Sequence, residues 1–334
     1  MSGRKPSQRR GLVTGWRLDW PRAGGEPVGT GRIRVDPGDF GVTENLGWSP
    51  DGEGEHLLIQ LEKSGDNTDW VARGLARVCG CPAAAVGYAG RKDRHAVTRQ
   101  WFSLPCPPGR ADDVLQAVSA QWRVLSVDRH SRKLRTGELA GNRFRIRVRD
   151  LEADSAALAA RWQALANSGC PNYFGRQRFG RDGANLEAAA QLDPQRLKRP
   201  RERARSGMLL SAVRSWLFNE WLAGRLAAGD WRQQREGDPE TSPSGPMFGD
   251  DSCGAEGALA EAELAFAGQY PEFMALLRAT RMRPARRSLA LKPLDCALEQ
   301  EGDSAVFDFF LPAGGFATVV LTEILDLEDG SRTP

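Results

Sequence analysis

Residues 142–150, NRFRIRVRD, alternate without a break. Phe144, Ile146 and Val148 fall on one parity, and Arg143, Arg145, Arg147 and Arg149 on the other. A period of two belongs to an extended strand, whose successive side chains point to opposite faces. The chain therefore contains a sheet, and one face of this strand is apolar. Further strand signals precede it. GTGRIRVDPGDFGVTEN (29–45) alternates around a Pro-Gly turn, and EHLLIQLEK, VTRQWFSL and RVLSVDRH are short runs rich in strand-forming residues. Helical patterns lie between them. Asn67 and Thr68 are cap residues, and TDWVARGLARVCG places Val71, Leu75 and Val78 at helical spacing. DDVLQAVSAQ is a second helix, and ADSAALAARWQALANSG a third that ends at Gly169. SGMLLSAVRSWLFNEWLAGRLAAGDW is the longest amphipathic helix. AVFDFFLPAGGFATVVLTEILDL reads as a strand, a Pro-Ala-Gly-Gly turn and a final apolar helix.

A chain of 334 residues, 40% hydrophobic and 27% charged, can form two domains or one large one around a sizeable core. Its apolar runs fall far short of the roughly 20 residues a membrane helix needs. The start, MSGRKPSQRRG, is basic and polar with no apolar run behind it, so it reads as a disordered basic arm and not as a secretory signal. Cys79, Cys81, Cys106, Cys170, Cys253 and Cys296 lack zinc-ligand spacing and read as free thiols. With His56, His95 and His130 the only histidines, a His-based metal site is not expected.

The net charge of +3 conceals segregation. Basic residues cluster in the N-terminal arm, in KRPRERAR (198–205) and in RATRMRPARRS (278–288). The stretch REGDPETSPSGPMFGDDSCGAEG (235–257) is acidic and rich in Gly, Pro and Ser, as a long loop or linker is. Arginine clusters suit phosphate recognition because the guanidinium fork matches phosphate oxygens, although a solvated surface has the same composition. The chain has no phosphate-binding P-loop, no dinucleotide fingerprint and no nucleophile elbow. Carboxylate chemistry without a cofactor is then the simplest catalytic option. Asp93 fits it: GYAGRKDRHAVTRQWFSL (87–104) sets this one acid among Arg91, Lys92, Arg94, His95 and Arg99. Cations favour an ionised carboxylate, which can act as nucleophile or base. On local grounds Asp93 can equally be a turn residue that satisfies backbone N–H groups.

The same stretch closely resembles the signature of the TruD family of tRNA pseudouridine synthases. DPGDFGVTE, GEGEHLLIQLEK, NTDWVARGLAR, RHSRKLRTGELAGNRFRIRVR, GCPNYFGRQRFGRDG and LPAGGFATVVLTEIL resemble further family blocks, in family order; residues from about 190 to 290 carry none. The resemblance implies isomerisation of uridine to pseudouridine in tRNA, at position 13, with no cofactor and no metal. It maps the catalytic aspartate onto Asp93 and substrate-binding residues onto Phe40, Asn142 and Phe316. The basic residue beside the catalytic carboxylate falls at Arg34, and Phe144 walls the pocket with its edge from a core position. Aromatic faces at Phe40 and Phe316 would receive an extruded base, each stack contributing on the order of 1–3 kcal/mol. The alternative for either ring is plain core packing. Tyr173 and Phe174 have basic neighbours and would contact RNA or, as the favoured reading, support the domain junction.

The implied fold is a mixed α/β catalytic domain with a mostly antiparallel sheet, built from residues 1–167 and 288–334. Residues 168–287 would form an inserted, helix-rich TRUD domain. RNA is expected in the cleft between the two, with the arginine clusters following phosphates. The expected partner is tRNA, bound by a cytoplasmic monomer. A non-catalytic RNA-folding protein and an N-glycosidase that releases the base are the rival activities.

Overall fold

A computed structural model describes residues 15–332. The basic arm at the start lies outside them. The described residues divide into two compact units, residues 24–170 with 291–332 and residues 15–23 with 171–290. The first holds a ten-stranded sheet: β1 (Gly29–Ile33), β2 (Phe40–Asn45), β3 (His56–Lys63), β4 (Gly87–Tyr88), β5 (Val97–Pro105), β6 (Arg123–His130), β7 (Gly141–Ala153), β8 (Leu294–Glu301), β9 (Ser304–Pro312) and β10 (Asp326–Asp329). The order is β8-β9-β7-β2-β5-β3-β6, with β1 joined to β7 and β10, and β4 to β5. Only β2–β5 and β1–β10 run parallel. The sheet is thus mixed, open and mostly antiparallel.

The strand β7 explains much of this order. Phe144, Ile146 and Val148 are buried, as their alternation requires. Their partners in register are Val42 and Phe40 of β2 and Phe309, Phe307 and Ala305 of β9, so one apolar face spans three strands. The helix α3 (Ser155–Ser168), capped where Asp154 accepts from Ala157 N at 2.8 Å, covers that face with Leu158, Trp162 and Leu165. The arginines of the opposite face meet carboxylates. Arg143 pairs with Asp308 at 2.7 Å, Arg145 with Glu299 at 3.3 Å, Arg147 with Glu301 at 3.1 Å and Arg149 with Asp39 at 2.8 Å. The pairs of Arg145 and Arg147, open to solvent on both partners, are each worth about 1 kcal/mol or less, and the four together neutralise a stripe that would otherwise repel itself.

A second core lies over the other half of the sheet. There α1 (Thr68–Cys79) and α2 (Ala111–Ser119) pack Val71, Leu75, Val114 and Val118 on Ile59, Leu61, Phe102 and Leu104. Asn67 caps α1 by accepting from Trp70 N at 2.8 Å, and Gly80 ends it in the left-handed conformation with φ +68°. At the C-terminus the expected apolar helix is shorter than its pattern. It spans Ala317–Thr322, after which the chain extends as β10. The pairing of β10 with β1, and the Val28 N–Ile324 O bond at 2.9 Å, satisfy backbone groups that a longer helix would keep to itself.

The second unit is helical around Pro200–Ala227, with helices at Ala184–Ala190, Pro194–Leu197, Gly257–Ala267 and Pro271–Ala279. Three sequence expectations change here. The long helix begins at Pro200, so Arg201, Arg203 and Arg205 are exposed on its first turns. The acidic stretch contains a strand, Ser244–Met247, paired antiparallel with Ala285–Ser288. That pairing carries Arg286 and Arg287 inward. Arg286 bonds Glu263 at 2.9 Å, and Arg287 lies 4.2 Å over Phe174, where burial pushes its guanidinium down to about 10. These two arginines brace the unit and are not free for phosphate. Tyr173 and Phe174 are buried in the same unit, 6% and 8% exposed. Residues 15–23 also belong to this unit: Trp16 packs on Trp216 and Phe273, both at 5.5 Å, and Trp20 stacks on Tyr173 at 5.8 Å. All six cysteines are free thiols. Among the described residues no helix is long and apolar enough to cross a membrane.

Candidate active site

The candidate site is built on the face of β2. Pro37 opens a single turn before this strand. Asp39 closes it by accepting from Asp36 N at 2.8 Å, and Arg149 Nε holds both Asp39 oxygens at 3.0 and 2.9 Å. Phe40 follows, with Val42 and Glu44 on the same face by the alternation of the strand. Phe40 is only 4% exposed. Its ring meets Phe144 edge-on at 6.3 Å, and Phe144 stacks on Phe309 at 5.8 Å.

Arg34 lies over the Phe40 ring, its guanidinium carbon 4.1 Å from the centroid. Its φ of +56° is in the left-handed region. For a residue with a Cβ that costs roughly 1–2 kcal/mol. The conformation is held by a 2.9 Å ion pair with Asp329 of β10, and Ser331 Oγ donates to the same carboxylate at 2.7 Å. The other Arg34 nitrogen, Nη2, lies 3.8 Å from Asp93 Oδ2. Arg34 is almost fully buried (5% side-chain exposure), whereas Asp93 is 41% exposed. A carboxylate open to solvent therefore stands against a cation that the fold has fixed from behind.

The basic residues next to Asp93 in sequence mostly turn elsewhere. Arg91 pairs with Asp69 at 3.4 Å, Arg94 Nε donates to His95 at 2.9 Å and Arg99 pairs with Glu62 at 2.9 Å. Lys92 forms a buried ion pair with Glu44 at 2.5 Å. Asp93 Oδ1 accepts from His95 N at 3.1 Å, which is the bond expected of a turn aspartate. Another cation comes from β3. Burial pushes the Lys63 ammonium down to about 8, against the opposing pull of Asp66 and Asp93. The other carboxylates within reach of Arg34 and Lys92, Asp329 and Glu44, are themselves committed, so Asp93 is the exposed acid of the group.

Asn142 stands opposite Glu44 in the β2–β7 register and opposite Leu311 of β9. Gly141 permits the close approach at this corner, because a Cβ there would come within 2.1 Å of Leu311 O. The Asn142 Oδ1 atom is buried and has no hydrogen-bond partner among the described residues. From the same end of β9 the chain turns through Gly314, whose φ of +85° requires glycine, to Phe316 at the cap of the last helix. Phe316 is half-buried and more accessible than Phe40 or Phe144.

A family model described as tRNA pseudouridine synthase D (TruD) matches residues 24–191. A tRNA pseudouridine synthase D of Marinobacter nauticus is 41% identical, over 94% of this chain and 96% of its own. One of Cellvibrio japonicus is 43% identical, over 93% and 94%. The chain belongs to the TruD family of tRNA pseudouridine synthases. A solved structure from Methanosarcina mazei with the same family name shares the fold, with 20% identity, a TM-score of 0.66 and coverage of 92% of this chain and 96% of that one.

Within this TruD-family chain, Arg34, Phe40, Asp93 and Phe144 form one contiguous group. Asn142 is reached from it through Glu44 and Lys92. The sequence marks Thr68 only as a cap residue and does not single out Glu44, Lys63, Gln100 or Asp329. Glu44 and Gln100 carry a legible signal, a polar residue at the buried parity of a strand. Asp329 carries none, since only the pairing of β10 with β1 brings it to Arg34.

Proposed function

We propose that the protein converts uridine to pseudouridine in tRNA, at position 13, as a cytoplasmic monomer with Asp93 as its catalytic carboxylate. The C1′–N1 bond breaks, the uracil turns, and a C1′–C5 bond forms. N1 gains a proton and C5 loses one, so the reaction needs no external reductant or oxidant. The observation that carries this reading is Asp93 itself: an exposed carboxylate 3.8 Å from a buried, rear-anchored arginine in a TruD-family chain. Fixing the cation in advance means that little reorganisation is needed as charge develops.

The neighbouring residues fit roles in the same reaction. Asn142 Oδ1 is a buried acceptor without a donor among the described residues, and the imide N–H of uracil is a donor that such a site can take. Phe316 presents the accessible ring for the extruded base, Phe40 lies beneath Arg34, and Phe144 backs Phe40. The exposed Arg201, Arg203 and Arg205 supply cations for the phosphate backbone.

One assay separates this activity from its rivals. Given tRNA with tritium at uridine C5, the protein should release tritium and leave the RNA chain intact. An RNA-folding protein would release none, and an N-glycosidase would free uracil. Asp93→Asn should abolish release; full release by that variant would refute the role of Asp93.

A further inference from the structure

The segment that carries Asp93 is anchored on both sides of that residue. Before it, Lys92 N donates to Thr68 Oγ1 at 2.8 Å. The Thr68 hydroxyl donates onward to Gln100 Oε1 at 3.0 Å, and Gln100 Nε2 donates to Gly90 O at 2.6 Å. After it, Arg94 O accepts from Gly65 N at 3.0 Å. Thr68 and Gln100 are 1% and 0% exposed. Each satisfies the other, and the chain of bonds ends on backbone groups immediately flanking the loop.

The platform is itself held. Gly65 lies in the connection from β3 to α1, and Thr68 is the first residue of α1. Buried Lys63 donates to Asp66 O at 2.7 Å, and Trp122 Nε1 donates to Asp66 Oδ2 at 3.0 Å. Asn67 caps α1 in the same turn. Gln100 sits on β5, two strands from β7. The loop is therefore tied to a helix start and to a central strand at once. Linked hydrogen bonds in a dry interior polarise one another and define a single geometry.

We propose that Thr68 and Gln100 are positioning residues for Asp93. They set the backbone on which Asp93 faces Arg34 without touching substrate. This rests on the reading of Asp93 as the catalytic carboxylate. A misplacement of about 1 Å can cost a hundredfold in rate, so a tether that fixes the neighbouring peptide governs turnover.

The test uses the full-length protein and C5-tritiated tRNA under single-turnover conditions. Thr68→Val keeps the shape but removes the acceptor for Lys92 N–H and the donor to Gln100. It should lower the release rate by about tenfold to a hundredfold while tRNA affinity stays within about twofold. Thr68→Ser, which keeps the hydroxyl, should restore the rate to within about threefold of wild type. The Lys92 amide should also exchange with solvent faster in Thr68→Val. Should that variant not fold, Gln100→Met removes the same link and should show the same loss of rate. Wild-type release by Thr68→Val or Gln100→Met, with Asp93→Asn inactive, overturns the positioning role alone. Full release by Asp93→Asn overturns the catalytic reading, and the positioning role with it.

Discussion

Lys92→Met should be among the most destabilising single substitutions near the site. The Lys92 and Glu44 side chains are 7% and 0% exposed, and their charged atoms are 2.5 Å apart. At an effective dielectric near 20, that separation gives an attraction of about 7 kcal/mol. Desolvation of the two ions consumes several kcal/mol each, so the intact pair contributes little net stability. Removing only the lysine is different. Glu44 keeps its desolvation cost and retains one bond, from Trp101 N at 2.9 Å, worth about 1.5–3 kcal/mol. The expected loss is about 3–5 kcal/mol, the usual cost of orphaning a buried charge. In a unit of this size that lowers Tm by roughly 6–20 °C. The double variant Glu44→Leu/Lys92→Met should recover most of the loss. Urea unfolding followed by circular dichroism, with all four corners of the cycle at one pH, measures both quantities. A single-variant cost below about 1 kcal/mol, or a double variant worse than the single, would refute the buried-pair argument.

Three further expectations separate binding, stability and titration. Asn142→Ala removes an acceptor with no partner among the described residues, so urea stability should change by less than about 0.5 kcal/mol, while kcat/KM falls roughly tenfold; an equal loss in both would show that the amide serves the fold. Reversing charge at Arg201, Arg203 and Arg205 should weaken tRNA binding and flatten its salt dependence by about one unit of slope per lost phosphate contact; unchanged binding at low and physiological salt would remove this cluster from the RNA interface. The lowered value of Lys63, about 8 against 10.5, means the unfolded chain holds more protons between those pH values, so this group's contribution to stability rises with pH there, by up to about 3 kcal/mol. Cys79, raised to about 12, and Tyr88 have the opposite sign, so the measurement is the difference between wild type and Lys63→Met from pH 7.5 to 10.5; a flat difference would refute it.

Much of the sheet was legible because alternation is a local property. In β7 the parity of Phe144, Ile146 and Val148 named the buried face correctly, and the cap at Asn67 announced its helix. Where the apolar pattern was diffuse, sequence reasoning fell short. The helix Gly257–Ala267 spreads its apolar residues around the axis, burying Leu259 while leaving Leu264 71% exposed, so no single stripe marks it. The arginines of 278–288 looked like one basic surface. Their partners Glu263, Asn172 and Phe174 lie far away in the chain, and only pairing of Ala285–Ser288 with Ser244–Met247 buries Arg286 and Arg287 among them.

The catalytic candidate divides the same way. The residue pattern alone singled out Asp93 as an acid in basic surroundings, and the ordered blocks tied it to a family. Local charge could not say which cation faces Asp93, and only the family resemblance pointed to Arg34. The nearest in sequence are spent on Asp69, Glu62 and Glu44, while Arg34 arrives from the end of β1, turned by a left-handed backbone and held by Asp329. Charge and periodicity are written along the chain, but an ion pair is a distance in space. Only the tertiary structure brings Asp93, from the loop before β5, and Asp329, from β10, within 4 Å of Arg34 at the end of β1.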